Sequence, residues 1–208
     1  MATALLERPK VEEPEANQSE AAPAPYHWTV DALERATDAG VFEYPERLEL
    51  IHGRIIEKMS QGGPHTGLRR RMARRLRAAI EPTAFVCEEC PLRLALDGEP
   101  VPDIMFTRKA DYGSQHPTQE AAVLVVEVAS SSASYDLGEK ALLYAEANIS
   151  DYWVALVNEN AIVVHREPTP EGYSTVTRLT GQETLSPLVV PEAVWTIDDL
   201  LGGVEEAQ

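Results

Sequence analysis

The chain has 208 residues, of which 44% are hydrophobic and 25% are charged, and its formal net charge is −16. This composition is typical of one globular domain with its own core and excludes a wholly disordered chain. No segment reaches the roughly 20 apolar residues that cross a bilayer, and the N-terminus lacks an apolar signal region, so we expect a cytoplasmic protein without membrane contact.

The first 25 residues are rich in Pro, Ala and Glu and show no apolar period. Such a segment offers too little apolar surface for a packed core, so we predict a disordered tail over residues 1–25. The remaining residues, 26–208, show no internal repeat, and we predict that they form one domain.

The predicted elements begin with a short helix over residues 26–39, where apolar residues recur at helical spacing. The pattern around Gly53 in RLELIHGRIIEKM indicates two short strands, or one strand bent at the glycine. Residues 65–80 predict an amphipathic helix. Its apolar arc consists of Leu68, Met72, Leu76, Ala79 and Ile80.

The same helix concentrates basic charge, since six of the chain's 18 Lys and Arg residues fall within nine positions, from Arg69 to Arg77. Arg70, Arg74 and Arg77 lie outside the apolar arc. They are candidates for contacts with backbone phosphates, which give affinity without sequence preference. The alternative is a helix face that is simply solvated.

The segments AFVCEE, LRLAL and PDIMFT predict three neighbouring strands. The apolar run at residues 122–129 predicts a central strand that is covered on both faces. A helix over residues 136–147 follows, then a hairpin formed by DYWVALV and AIVVHRE, an edge strand and a closing segment. The fold class is therefore α/β, with a mixed sheet flanked by helices.

Two acidic residues stand out against these strands. Glu127 interrupts the apolar central run, and a buried carboxylate without a partner would cost several kcal/mol. A divalent cation would compensate this charge, and Mg²⁺ takes one or two protein carboxylates. Asp103, at the start of a short apolar strand, is the natural second ligand. The alternatives are a buried ion pair for Glu127 and a surface turn for Asp103.

Lys140 lies four residues after Asp136 on the helix that follows the Glu127 strand, so both side chains project from one helix face. This geometry can direct an ammonium group at the two acids. The alternative is an exposed ion pair between Lys140 and Asp136.

The ordered series LELIHGRI, PHTG, PDIMFT, LVVEVASSS and DYWVALV, with D-x-x-x-K-x-x-x-Y before the last, resembles the Uma-type family of putative restriction endonucleases. The resemblance covers residues 26–200. It implies a restriction-endonuclease-like fold of the PD-(D/E)XK superfamily. The superfamily's in-strand lysine is replaced by Ala129, and the resemblance implies that Lys140 takes its place.

By this resemblance, Asp103 and Glu127 hold Mg²⁺ or Mn²⁺ and Lys140 assists the hydrolysis of DNA phosphodiester bonds. Glu49 is an additional, outer metal ligand. His65 and Asp136 are candidates for substrate or supporting contacts. Cleavage of both strands of a duplex is simplest with two sites related by a two-fold axis, which favours a homodimer.

Two other functions stay open. The negative charge and the displaced lysine also fit a catalytically silent scaffold or binding protein with the nuclease fold. A hydrolase acting on RNA, or within a larger assembly that supplies cationic surface, is the second. Cys87 and Cys90 form a single C-x-x-C without a second pair for zinc, so we interpret them as strand residues.

Overall fold

The computed structural model describes residues 24–58, 61–95 and 97–202. The predicted tail therefore lies outside the described residues, apart from residues 24 and 25. Among the described residues, no helix combines the length and apolar character that crossing a bilayer requires.

The described chain contains ten strands and five α-helices. The helices are α1 (Val30–Asp38), α2 (Gly63–Ile80), α3 (Ala133–Leu137), α4 (Glu139–Glu146) and α5 (Ile197–Leu201). The strands are β1 (Leu48–Ile51), β2 (Arg54–Glu57), β3 (Ala84–Glu88), β4 (Ile104–Arg108), β5 (Ala122–Ala129), β6 (Asp151–Leu156), β7 (Ala161–Thr169), β8 (Gly172–Thr180), β9 (Thr184–Leu185) and β10 (Trp195–Thr196).

The main sheet has six strands in the order β3-β4-β5-β6-β7-β8. The pair β5 and β6 is parallel, and every other neighbouring pair is antiparallel. The mixed sheet, the central position of β5 and the edge position of β8 are thus confirmed. A parallel pair needs a crossover connection, which here is formed by α3 and α4.

Alternate residues of β5 face the two sides of this sheet, which divides the core in two. Leu124, Val126 and Val128 pack in the cluster that includes α2. Val125 and Ala129 pack in the cluster that includes α4. Glu127 lies midway between Val125 and Ala129 along β5 and therefore faces the same side of the sheet, so its carboxylate points toward α4.

A separate two-stranded sheet, β1 with β2, carries Glu49. The two strands meet at His52 and Gly53, which have φ values of 46° and 68°. Positive φ at both central positions is typical of a tight two-residue hairpin turn. The prediction of two strands around the glycine is confirmed.

Two predicted elements were wrong. Residues 92–95 form isolated bridges instead of the strand predicted from LRLAL. The helix predicted over residues 136–147 is interrupted at Gly138, whose backbone (φ −109°, ψ −90°) separates α3 from α4. A β-carbon at Gly138 would lie 2.9 Å from the backbone oxygen of Ser134, closer than side chains pack, so glycine fits this break.

The two cysteines also differ from their interpretation. Cys87 lies in β3, as expected, whereas Cys90 lies beyond the end of that strand. The structure joins the two sulfurs in a disulfide, with 5.8 Å between the α-carbons.

Candidate functional site

Glu127 is buried at the centre of the main sheet, with 3% of its surface exposed. One carboxylate oxygen, Oε1, accepts hydrogen bonds from the Lys140 ammonium at 2.9 Å and the Tyr144 hydroxyl at 3.1 Å. The other, Oε2, accepts from the backbone N–H of Asp103 at 3.3 Å. The two acidic residues that the sequence singled out are therefore joined through the backbone of Asp103.

Asp103 immediately precedes β4 and is also buried. Its Oδ2 accepts from the backbone N–H of Val128 at 2.8 Å and lies 3.1 Å from His65 Nε2. Its Oδ1 accepts from the Gln61 amide at 2.9 Å and lies 3.9 Å from the Lys58 ammonium. Hydrogen bonds with residues 61–65 and with β5 thus fix this carboxylate.

Lys140 is buried in α4, with 3% of its surface exposed. Besides Glu127, its ammonium donates to Glu49 Oε1 at 3.0 Å, and the same oxygen accepts from the backbone N–H of Val101 at 2.7 Å. The alternative of an exposed ion pair is therefore wrong for Lys140. The alternative for Glu127, a buried ion pair, is present in the structure together with the clustered acids.

The electrostatics of the cluster differ between its two central acids. Burial raises the pKa of Glu127 to about 8; Lys140 opposes this shift, and Asp103 adds to it. Burial acts to raise the pKa of Asp103 too, but the hydrogen bond with His65 and the charge of Lys58 outweigh it and hold that pKa below its usual value. Of these two acids, Asp103 is thus the one that stays ionised more readily.

Asp136, at the end of α3, completes the acidic lining. Its Oδ2 accepts from the Ser132 hydroxyl at 2.6 Å, and burial raises the pKa of its carboxyl group. Asp136 and Lys140 still face the same cavity, although the helix between them is broken. Ser130–Ser132 form the turn after β5 and also line this cavity.

These groups surround an open cavity of about 290 Å³. Its lining includes every predicted catalytic, metal and supporting residue, together with groups that the sequence did not single out. The predicted members are Glu49, His65, Asp103, Glu127, Asp136 and Lys140, and the unpredicted polar members include Lys58, Gln61 and Tyr135.

The carboxylates offer the hard oxygen donors that Mg²⁺ and Mn²⁺ prefer. In the structure, Lys140 lies between Glu49 and Glu127, so within residues 24–58, 61–95 and 97–202 no three His, Cys, Asp or Glu side chains already surround a common metal position. Four buried acids nevertheless line the cavity, Glu49, Asp103, Glu127 and Asp136, against the one buried ammonium of Lys140. This donor set fits a divalent cation, with Glu127 losing its proton when the cation binds.

The three arginines of α2 that the sequence singled out differ in their surroundings. Arg70 and Arg74 are exposed, and neither forms an ion pair within the described part of the chain. Arg77 instead lies close to Glu81 and Glu88, at 3.9 Å and 3.3 Å. Arg70 and Arg74 thus lie on an exposed face of α2, and their contact with backbone phosphates stays a prediction.

Other arginines of α2 have structural roles that the sequence did not reveal. Arg75 donates to the backbone oxygens of Leu200 at 3.0 Å and Gly202 at 2.9 Å, at the C-terminal end of α5. Arg69 is buried and forms an ion pair with Glu89. These contacts hold α2 to neighbouring elements instead of leaving its charges for a partner.

Comparison with known proteins shows the family and the fold. The family model described as "Putative restriction endonuclease" (Uma2) matches residues 31–199. A crystal structure of a putative nuclease of the DUF820 group from Anabaena variabilis is similar with a TM-score of 0.62 and 19% identity, over 74% of this chain and 89% of that chain. No curated protein matches. Because the family model covers more than half of its length, the chain belongs to the Uma2 family of putative restriction endonucleases.

Proposed function

We propose that the chain is a Mg²⁺- or Mn²⁺-dependent endonuclease that hydrolyses the phosphodiester bonds of DNA. The observation that carries this proposal is the contact between Asp103 and Glu127, which lie 24 residues apart in sequence and join through the backbone N–H of Asp103 in one cavity. The family match and the nuclease-like fold support it.

In this proposal, Asp103 and Glu127 hold the cation, and Glu49 is an outer ligand. A bound divalent cation would lower the pKa of an attacking water and polarise the scissile phosphate. The protein's own contribution is to position its carboxylates. Tyr144 and Lys140 hold one oxygen of Glu127, while the second carries a single hydrogen bond of 3.3 Å.

Lys140 has a second role in the proposed mechanism. Its ammonium has three N–H donors, of which two bind Glu127 and Glu49. The third can orient a water molecule beside Glu127 or stabilise the charge that develops on the phosphate. This assigns to a helix residue the task that the superfamily gives to the strand position occupied here by Ala129.

The direct test is to incubate the purified chain with supercoiled DNA, linear DNA and RNA in the presence of Mg²⁺, Mn²⁺ or a chelator. We expect metal-dependent cleavage by the wild type, its loss in Asp103→Ala and Glu127→Ala, and its retention in the control Glu171→Ala, which alters an exposed acid. Equal activity in all four proteins would reject the assignment. Nucleic-acid binding without cleavage would instead favour the silent scaffold.

The exposed arginines of α2 provide a separate prediction. Replacing both Arg70 and Arg74 by glutamine should flatten the dependence of log Kd on log salt for duplex DNA by about 2, because each lost phosphate contact removes about one unit of slope. Arg77→Gln is the matched control, since its guanidinium is already close to Glu81 and Glu88. An unchanged slope in the double variant would remove α2 from the proposed interface.

A homodimer completes the proposal, because two sites related by a two-fold axis would cut both strands of a duplex. Its test is the mass of the protein in solution by light scattering, with and without a duplex. A monomer under both conditions would contradict it.

A further inference from the structure

A second lysine, Lys58, lies beside Asp103. It directly follows β2, and its ammonium donates to the backbone oxygen of Val101 at 2.7 Å. The same ammonium lies 3.9 Å from Asp103 Oδ1 and lines the cavity. No pattern in the sequence distinguished this residue, because a single lysine after a short strand is usually a solvated surface group.

The two lysines of the cavity differ in what surrounds their charge. Lys140 is held between two carboxylates, at 2.9 Å from Glu127 and 3.0 Å from Glu49, and 4% of its side chain is exposed. Lys58 has 18% of its side chain exposed, and its hydrogen-bond acceptor is a neutral carbonyl. A distance of 3.9 Å to the nearest carboxylate oxygen is too long for a hydrogen bond.

This difference matters because a phosphodiester is an anion and the cavity is lined by carboxylates. The charge of Lys140 is already balanced by the acids that it joins. Lys58 uses one of its three N–H donors on Val101, so the other two can bind an anion that enters beside Asp103. A phosphate oxygen would be a stronger partner than the carbonyl, because both groups would then be charged.

We infer that Lys58 is a further catalytic residue: its ammonium binds a non-bridging oxygen of the substrate's phosphodiester group beside Asp103. Lys140 in turn keeps Glu49 and Glu127 in place. The inference rests on the proposed function, because it assigns a contact to the phosphodiester substrate. It goes beyond that function by placing the ammonium of a second lysine at the phosphodiester group.

The test compares four lysine variants with the wild type. Lys58→Met removes the charge, Lys58→Gln keeps a donor for Val101 without the charge, and Lys58→Arg keeps both. Lys109→Met is the matched control, because Lys109 also donates to a backbone oxygen, that of Pro82 at 3.0 Å, but lies outside the cavity lining. Thermal unfolding of each variant checks that the fold is retained.

The first readout is equilibrium binding of a fluorescein-labelled DNA duplex in Ca²⁺, across a series of salt concentrations. Lys58→Met and Lys58→Gln should each reduce the slope of log Kd against log salt by about 1, while Lys58→Arg and Lys109→Met keep it. The second readout is single-turnover cleavage in Mg²⁺. Loss of the Lys58 charge should slow it by about 10²-fold, and Lys58→Arg should recover part of the rate.

The possible results distinguish a failure of the Lys58 inference from a failure of the proposed function. A wild type that binds and cuts DNA, with Lys58→Gln equal to it in slope and rate, would overturn the inference and leave the proposed function intact. A wild type that neither binds nor cuts duplex DNA, single-stranded DNA or RNA would overturn the proposed function and this inference with it. If Lys58→Met fails to fold, Lys58→Gln against Lys58→Arg gives the same decision.

Discussion

Replacing Lys140 by methionine is expected to lower the free energy of unfolding by about 3–5 kcal/mol in mildly alkaline solution, the range found when one partner is removed from a buried ion pair. Methionine keeps most of the lysine's apolar length but leaves Glu49 and Glu127 without their ammonium partner. Burial alone would lower the pKa of Lys140, but the charges of Glu127 and Glu49 raise it above its ordinary 10.5. Lys140 itself therefore stays charged below pH 10.5, and its stabilising contribution is largest in the alkaline range where Glu127 is also ionised.

Urea denaturation at several pH values measures this effect. The loss should be smallest in acid, because a protonated Glu127 no longer needs the ammonium. Lys109→Met, at an exposed position, should stay within about 0.5 kcal/mol of the wild type. The double variant Lys140→Met with Glu127→Gln should recover part of the loss. A Lys140→Met protein as stable as the wild type at every pH would contradict the ion cluster.

Divalent-cation binding should strengthen about tenfold for each pH unit between roughly pH 6 and pH 8, where a group with a pKa near 8 loses its proton. That group is Glu127, whose carboxyl is kept protonated chiefly by burial, with a pKa of about 8. Asp103 does not share this behaviour, because its pKa is lowered. The pKa of Glu127 is higher in the folded chain than its ordinary 4.5, so the folded chain releases this proton less readily than the unfolded chain. The effect of Glu127 is therefore to lower the free energy of unfolding of the metal-free chain as the pH rises from about 4.5 to 8.

Calorimetric titration with Mn²⁺, in two buffers of different ionisation enthalpy, reports both the affinity and the protons released. Below pH 8, we expect about one proton to leave for each ion bound. Glu127→Gln should lower the affinity and remove most of its pH dependence. A wild-type affinity that is constant across this range would show that Glu127 does not exchange a proton for the cation.

The acids of the site could be predicted because an acidic residue within or beside an apolar strand pattern is unusual in a sequence. Glu127 stands in an apolar strand, and the spacing of Asp103 and Lys140 follows a family pattern that reflects the same sheet and helix. Gln61 and Lys58 could not be predicted in this way. Their positions depend on where the chain after β2 passes Asp103, which is a tertiary contact without a local period.

The errors have a similar origin. Residues 92–95 have strand-like composition, but a strand requires a partner with continuous pairing, and here only single bridges form. The break at Gly138 was hidden because apolar spacing continues from α3 into α4. The contacts of Arg75 could not be predicted from the sequence, because its acceptors lie at the distant C-terminal end of α5.

The completeness of the site depends on the hairpin of β1 and β2. It belongs to a different sheet from Asp103 and Glu127, and it supplies both Glu49 and the strand that leads to Lys58. Its attachment to α4 includes the ion pair of Glu49 with Lys140 and the side-chain pairs at its tip, His52 with Glu146 and Arg54 with Glu139. Local opening of this hairpin would withdraw one acid and one ammonium together while the six-stranded sheet stays folded. A complete site thus requires the docking of this hairpin in addition to the folding of the six-stranded sheet.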